Sequence, residues 1–121
     1  MRELSFTVPG RCVPCPRVRV KRGARAYYPR RYTDWLASAK VEAYKACGRP
    51  LLEGAVGVNV TFYGARPNAD IDNLLKSVMD AIQGVIIVDD KQVQVVVARK
   101  EPADGEPETH IQVSPYRDGG E

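Results

Sequence analysis

Apolar and polar positions alternate at several points along the chain and switch to a helical period at two. Leu4, Phe6 and Val8 alternate with Glu3, Ser5 and Thr7, the pattern of a half-buried first strand, which Pro9-Gly10 ends. Val18 and Val20 alternate with Arg17, Arg19 and Lys21, a short strand with cations on one face. Val56, Val58, Val60 and Phe62 stand against Gly57, Asn59, Thr61 and Tyr63, which predicts a central strand over 55–63. Val93, Val95 and Val97 mark a strand over 92–99, and Thr109, Ile111 and Val113 mark a last one. The turn-rich stretch Glu101 to Pro107 between them predicts an antiparallel pair.

Two stretches follow the helical period instead. Tyr32, Trp35, Leu36, Ala39, Ala43, Ala46 and Cys47 fall on one face of a helix over 33–47, with Thr33 as its cap and Gly48 and Pro50 as its stop. Trp35 reads as a core anchor. Ile71, Leu74, Leu75, Val78, Ile82 and Val85 fall at i, i+3, i+4, i+7, i+11 and i+14, the buried stripe of a second helix. The sum is an α+β domain spanning 1–121: two main helices packed on one face of a small, mostly antiparallel sheet. A valine-rich sheet in a chain of 121 residues is expected to leave apolar surface that a homodimer covers. Residues 115–121 read as a frayed tail.

Charge adds a division of labour. The net charge is only +3, but Arg11, Arg17, Arg19, Lys21, Arg22, Arg25, Arg30 and Arg31 crowd a segment with no acid. Tyr27, Tyr28 and Tyr32 are interleaved with them, and aromatics among arginines suit stacking on bases and gripping phosphates. The basic stretch 10–31 therefore reads either as a mobile DNA-binding loop or as a solvated loop with its tyrosines packed on the domain edge. No apolar run approaches membrane-spanning length and the N-terminus lacks a signal-peptide apolar block, so the expectation is a cytoplasmic protein. Cys12 and Cys15 have the spacing of a metal or redox pair. A zinc site would need Cys47 and His110 to converge on them, so unpaired thiols are the default.

Carboxylates supply the candidate chemistry. Asp70 and Asp72 stand at the start of the second helix, and Asp89 and Asp90 in a turn beyond its end. If that turn folds back, three or four oxygens converge, and oxygen donors suit Mg²⁺, which takes one or two protein carboxylates and fills its octahedron with phosphate and water. Lys76, one turn after Asp72, is set to offset charge on a phosphoryl transition state. A purely structural reading uses the same residues. Asp70 becomes a helix cap, and Asp72, Lys76 and Asp80 become a ladder of i, i+4 pairs at about 0.2–0.5 kcal/mol each.

The compound pattern Asp70-Ile71-Asp72-Asn73-Leu74-Leu75-Lys76, Asp80-Ala81, Gly84 and Asp89-Asp90-Lys91-Gln92-Val93 resembles the RusA family of Holliday junction resolvases. The resemblance implies a small homodimeric endonuclease that cuts four-way DNA junctions with Mg²⁺ or Mn²⁺ and no small-molecule cofactor, in a bacterial or phage setting. It carries the family's acidic residues over to Asp70, Asp72 and Asp90, with Asp89 as a further candidate ligand, and its lysine to Lys76. Of the basic residues the family often places just before the first aspartate, only Arg66 is present. Expected DNA contacts are then Arg17, Arg19, Lys21, Arg22, Arg25, Arg30, Arg31 and Arg66. Asn73 is expected to orient the acids or cap the first turn, and Asp80 to partner Lys76. Two rivals stay open: a nuclease for flaps or other branched DNA, and a DNA-binding module with no chemistry.

Overall fold

The computed structural model describes residues 3–16 and 28–116. The alternating segments form four strands: β1 (Leu4–Pro9), β2 (Val56–Tyr63), β3 (Val93–Glu101) and β4 (Glu108–Pro115). The helical stripes form α1 (Arg30–Cys47) and α2 (Ile71–Ile82). The Val18–Val20 strand and most of the basic stretch, 17–27, lie outside the described residues, as do 117–121.

All four strands share one mixed sheet in the order β1-β4-β2-β3. β4 runs antiparallel to both β1 and β2, whereas β3 pairs with β2 in parallel. The expected β3–β4 pair is therefore corrected: β4 lies on the far side of β2. The connection explains why. α2 carries the chain back along the sheet, so β3 starts at the end where β2 starts, and such a crossover yields a parallel pair. The segment 102–107 then passes over the end of β2 to reach β4's place.

Gly64 makes that crossing possible. Its φ is +78°, and a Cβ there would lie 2.9 Å from Pro107 Cβ and 3.0 Å from Ala103 Cβ. Its N–H donates to Glu101 O at 2.9 Å. Gly64→Ala meets both a left-handed backbone and two close side chains, so it should lower unfolding free energy by about 1–3 kcal/mol. Urea denaturation checks this; unchanged stability would mean that the crossing segment moves aside at no cost.

Alternation sets the two faces. Phe6, Ile111 and Val60 align across β1, β4 and β2. With Val8, Val58, Phe62 and Val113 they are buried beneath the helices, each fully buried side chain contributing roughly 1.5–3 kcal/mol. The opposite face is polar across its centre, with Ser5, Thr7, Asn59, His110 and Gln112 exposed. On β3, however, Val95 and Val97 are each 45% exposed.

α1 begins at Arg30, three residues earlier than the pattern predicts. Pro29 occupies its cap position with φ −57°, and Thr33 instead sits in the first turn, donating its hydroxyl to Arg30 O at 3.0 Å. Gly48 ends the helix with φ +73°, its N–H donating to Tyr44 O at 2.7 Å. Trp35 is buried as expected. In α2, Leu74, Val78 and Ile82 are buried, and Ser77 and Ala81 complete the stripe. Ile71 departs from it, at 37% exposed.

Two boundary expectations also change. Residues 10–16 are no free loop: Cys15 N–H donates to Asn73 O at 2.9 Å, and Ser77 Oγ donates to Val13 O at 2.6 Å. Those bonds hold Cys12 and Cys15 in the interior. Pro115 closes β4, and Tyr116 N–H donates to Ala55 O at 3.0 Å, so Pro115 belongs to the sheet and Tyr116 is bonded to the segment before β2.

Candidate active site

The first acid pair stands where β2 hands over to α2, on backbone held from outside. Lys100 Nζ donates to Pro67 O at 3.1 Å and to Ala69 O at 2.8 Å. This ties the junction to β3 and fixes where α2 begins. Asp70 occupies the cap position with extended backbone, and its carbonyl accepts from Asn73 N and Leu74 N, both at 3.1 Å. Its carboxylate makes no capping bond, so the cap reading fails where it is most specific. Asp72 follows in the first turn, where the free N–H groups favour negative charge. Asp70, Asp72 and Lys76 are all exposed. Among the described residues, neither Asp72 nor Asp80 pairs with Lys76 within 4.0 Å.

Asp80 has another role. Tyr32 O–H donates to its carboxylate at 2.5 Å, and the Cys15 thiol approaches it at 3.9 Å. Burial and that hydrogen bond push the Tyr32 phenol well above its usual range. The expected Lys76–Asp80 pair is therefore corrected to a tie between α1 and α2. Lys40 adds to it: its Nζ donates to the carbonyls of Asp80 at 2.9 Å, Ala81 at 3.3 Å and Gln83 at 2.8 Å. A cation on the last carbonyls of α2 offsets the negative end of the helix, and burial lowers its pKa. Tyr32→Phe should cost about 1–3 kcal/mol in urea denaturation, because Asp80 loses its short donor. Unchanged stability would mean that this tie contributes nothing to holding α1 on α2.

The second acid pair is built into a single 3₁₀ turn, Asp90–Gln92. Asp89 is its cap. The Lys91 N–H donates to the Asp89 carboxylate at 2.8 Å, and this bond holds the group below the usual carboxylate range. Gln92 closes the box: its Oε1 accepts from Val88 N and Asp89 N, both at 2.9 Å, while Nε2 donates to Leu52 O at 2.7 Å and Gly54 O at 2.9 Å. Gln83 Oε1 accepts from Asp90 N at 3.2 Å. Asp89 thus has a structural task, whereas no backbone N–H of the turn bonds to the Asp90 carboxylate, which lies beside that of Asp89. Gln83 and Lys100 carry no local signal in the sequence, since their partners are distant backbone carbonyls and amides.

The two acid pairs do not meet within one chain. Asp70 and Asp72 open α2, the Asp89–Asp90 turn follows its far end, and twelve helical residues at 1.5 Å each make α2 about 18 Å long. Among the described residues, no group of three or more His, Cys, Asp or Glu side chains is placed to hold a metal ion. The turn does not fold back beside the first pair. Nor do the soft ligands converge: Cys12, Cys15 and Cys47 are free thiols, and His110 pairs with Glu108 on the open sheet face. Asn73 makes no side-chain hydrogen bond among the described residues; its carbonyl instead receives Cys15 N–H and Ser77 Oγ.

Of the expected DNA contacts, Arg17, Arg19, Lys21, Arg22 and Arg25 lie outside the described residues. Arg30 makes an exposed pair with Asp34 at 3.7 Å, a contact worth little in water. Arg31 and Arg66 line one pocket beside Asp70, together with Arg11. Tyr32 is buried and unavailable for stacking on bases; Tyr28, 43% exposed, packs on it with ring centroids 5.3 Å apart.

The family model for endodeoxyribonuclease RusA matches residues 9–114. The chain belongs to the RusA family. The match takes in both acid pairs, Lys76, the pocket arginines and nearly all of β2, β3 and β4, so it covers nearly the whole chain rather than a local motif. Among curated proteins, no sequence match is found. Membership makes the chain an endodeoxyribonuclease by family, and no helix among the described residues is long and apolar enough to cross a membrane.

Proposed function

We propose that the protein resolves four-way DNA junctions by paired, divalent-metal-dependent hydrolysis of phosphodiesters. The observation that carries this reading is the state of Asp70 and Asp72. Both are exposed on a braced strand-to-helix junction, and among the described residues neither is consumed by the capping or ion-pair contacts that would explain it structurally. Two uncommitted carboxylates are a donor set that fits Mg²⁺ or Mn²⁺, which prefer oxygen ligands and leave room for phosphate and water. Asp70 and Asp72 would hold such an ion, which when bound supplies Lewis acidity at the phosphate and a more acidic water. Lys76 stands one helical turn on and offsets charge developing on the phosphate oxygens. Arg31 and Arg66 hold the DNA backbone, which sets position rather than sequence.

The separation of the acids supports a homodimer that shares its sites. β3 is an edge strand of the sheet, with Val95 and Val97 exposed along it and Val88 exposed before the turn that leads into it. An antiparallel two-fold pairing along β3 sets the start of one copy's strand beside the end of the other's. The start carries Asp89 and Asp90; the end carries Lys100, which is bonded to Ala69, the residue before Asp70. The same symmetry operation that covers the valines thus brings Asp90 of one copy toward Asp70 and Asp72 of the other. Two such sites, related by a two-fold axis, suit a junction that needs paired cuts.

The test is cleavage of a labelled four-way junction, a flap and a linear duplex by the purified protein, with Mg²⁺, Mn²⁺ or EDTA. Symmetric paired nicks in the junction, lost with EDTA, are expected. Preferential flap cutting would reassign the substrate, and binding without cutting under every condition would contradict the nuclease mechanism.

A further inference from the structure

Beside Asp70 lies a pocket of about 340 Å³ that the acid site does not use. Three segments far apart in sequence meet there. Arg11 comes from the stretch after β1, Arg31 from the first turn of α1, and Arg66 from the β2–α2 junction. Arg11 is oriented by its Nε, which donates to Gly64 O at 2.9 Å. That bond uses one of its five N–H donors. Among the described residues, none of the three arginines makes an ion pair, and no acid lines the pocket. Bringing three like charges together without an anion is unfavourable, so the arrangement is complementary to a phosphate.

The rest of the lining has a different chemistry. It includes Cys12, Val13 and Pro14, and the Cys12 thiol is kept neutral because burial pushes it up to about 12. Asn68 also lines the pocket, two residues before Asp70, and its amide offers both donor and acceptor. Apolar lining, one amide and three cations within a few hundred Å³ match a small ligand with a flat ring and an anionic group.

We propose that this pocket takes one unstacked nucleotide of the DNA strand adjoining the bond that is cut, with its phosphate on Arg11, Arg31 and Arg66 and its base against Cys12, Val13 and Pro14. The inference rests on the nuclease reading, since it needs a DNA strand running past Asp70. Extruding a base costs stacking energy and is easiest near a branch, where stacking is already interrupted. The pocket therefore couples recognition of a branched structure to placement of the strand at the acids. Asn68, facing the base edge, is the residue that confers a preference among bases.

The experiment uses four-way junctions carrying 2-aminopurine at single positions flanking the cut, titrated with full-length protein in EDTA. Unstacking raises the fluorescence of this base. The expected result is a rise at one flanking nucleotide with wild type, its loss in Arg31→Ala/Arg66→Ala, and binding weakened roughly tenfold or more in that variant. An abasic nucleotide at the same position should weaken binding by wild type. Both arginines are exposed, so folding is expected to survive, and Arg31→Gln/Arg66→Gln repeats the test with smaller loss of side chain. No fluorescence rise at any flanking position, with binding and cutting intact, overturns the pocket and leaves the nuclease reading standing. Weaker binding by the arginine variants without any effect of the abasic site means a backbone contact only, and also overturns it. Failure of wild type to bind or cut any branched DNA overturns both.

Discussion

Asp72→Asn should leave a folded protein that binds junction DNA and no longer cuts it. The substitution removes one unit of negative charge from an exposed position and keeps the side chain's shape. Among the described residues, Asp72 has no ion-pair partner within 4.0 Å to lose. Stability should therefore change little, with at most the loss of a favourable charge in the first turn of α2. Cleavage should fall by about 10²–10³-fold or more, the cost typical of removing one electrostatic group that acts on the transition state. Binding in EDTA should be unchanged or slightly tighter, because a negative charge near the DNA backbone has gone. Single-turnover cleavage and gel-shift binding measured on the same preparation check this. Cleavage at the wild-type rate would remove Asp72 from the site.

The neighbouring acids of the 3₁₀ turn should separate by role. Asp90→Asn is expected to reduce cleavage to a degree comparable with Asp72→Asn at nearly unchanged stability, since no backbone N–H of the turn bonds to its carboxylate. Asp89→Asn should do the reverse. Its carboxylate receives Lys91 N–H and shares a capping box with Gln92, so weakening it lowers the thermal midpoint, and cleavage falls only as far as the turn loosens. Gln92→Leu should mimic it by stripping four backbone partners at once. If Asp89→Asn abolished cleavage with an unshifted midpoint, Asp89 would replace Asp90 in the site.

Much of the fold was legible in the alternation of apolar residues. That pattern assigned Phe6, Val60, Phe62 and Val113 to one buried face, since a strand's period of two fixes which side chains share a side. It does not say which strand lies beside which. The parallel β2–β3 pair follows from α2 intervening between them, and β4's position depends on Gly64 letting 102–107 cross over a strand end. The site was legible in a similar, partial way. Asp70, Asp72 and Lys76 could be assigned to the start of α2 because helix periodicity is local. Asp80's partner could not, because Tyr32 lies 48 residues away and competes with Lys76 only once α1 is packed on α2. The anchoring of 10–16 was hidden for the same reason: it depends on Ser77 and on the Asn73 carbonyl, neither of which marks the sequence.

The separation of the acid pairs along α2 makes one measurement decisive. Asp72→Asn and Asp90→Asn chains carrying different tags are co-expressed, and the mixed dimer is isolated through both tags. If each site takes Asp70 and Asp72 from one copy and Asp90 from the other, one of the two sites in the mixed dimer is intact and the other carries both lesions. The mixed dimer should then nick one strand of a four-way junction with Mg²⁺, while each pure variant remains inactive. If the mixed dimer is as inactive as its parents, the acids act within single chains or not together, and the shared-site account is wrong.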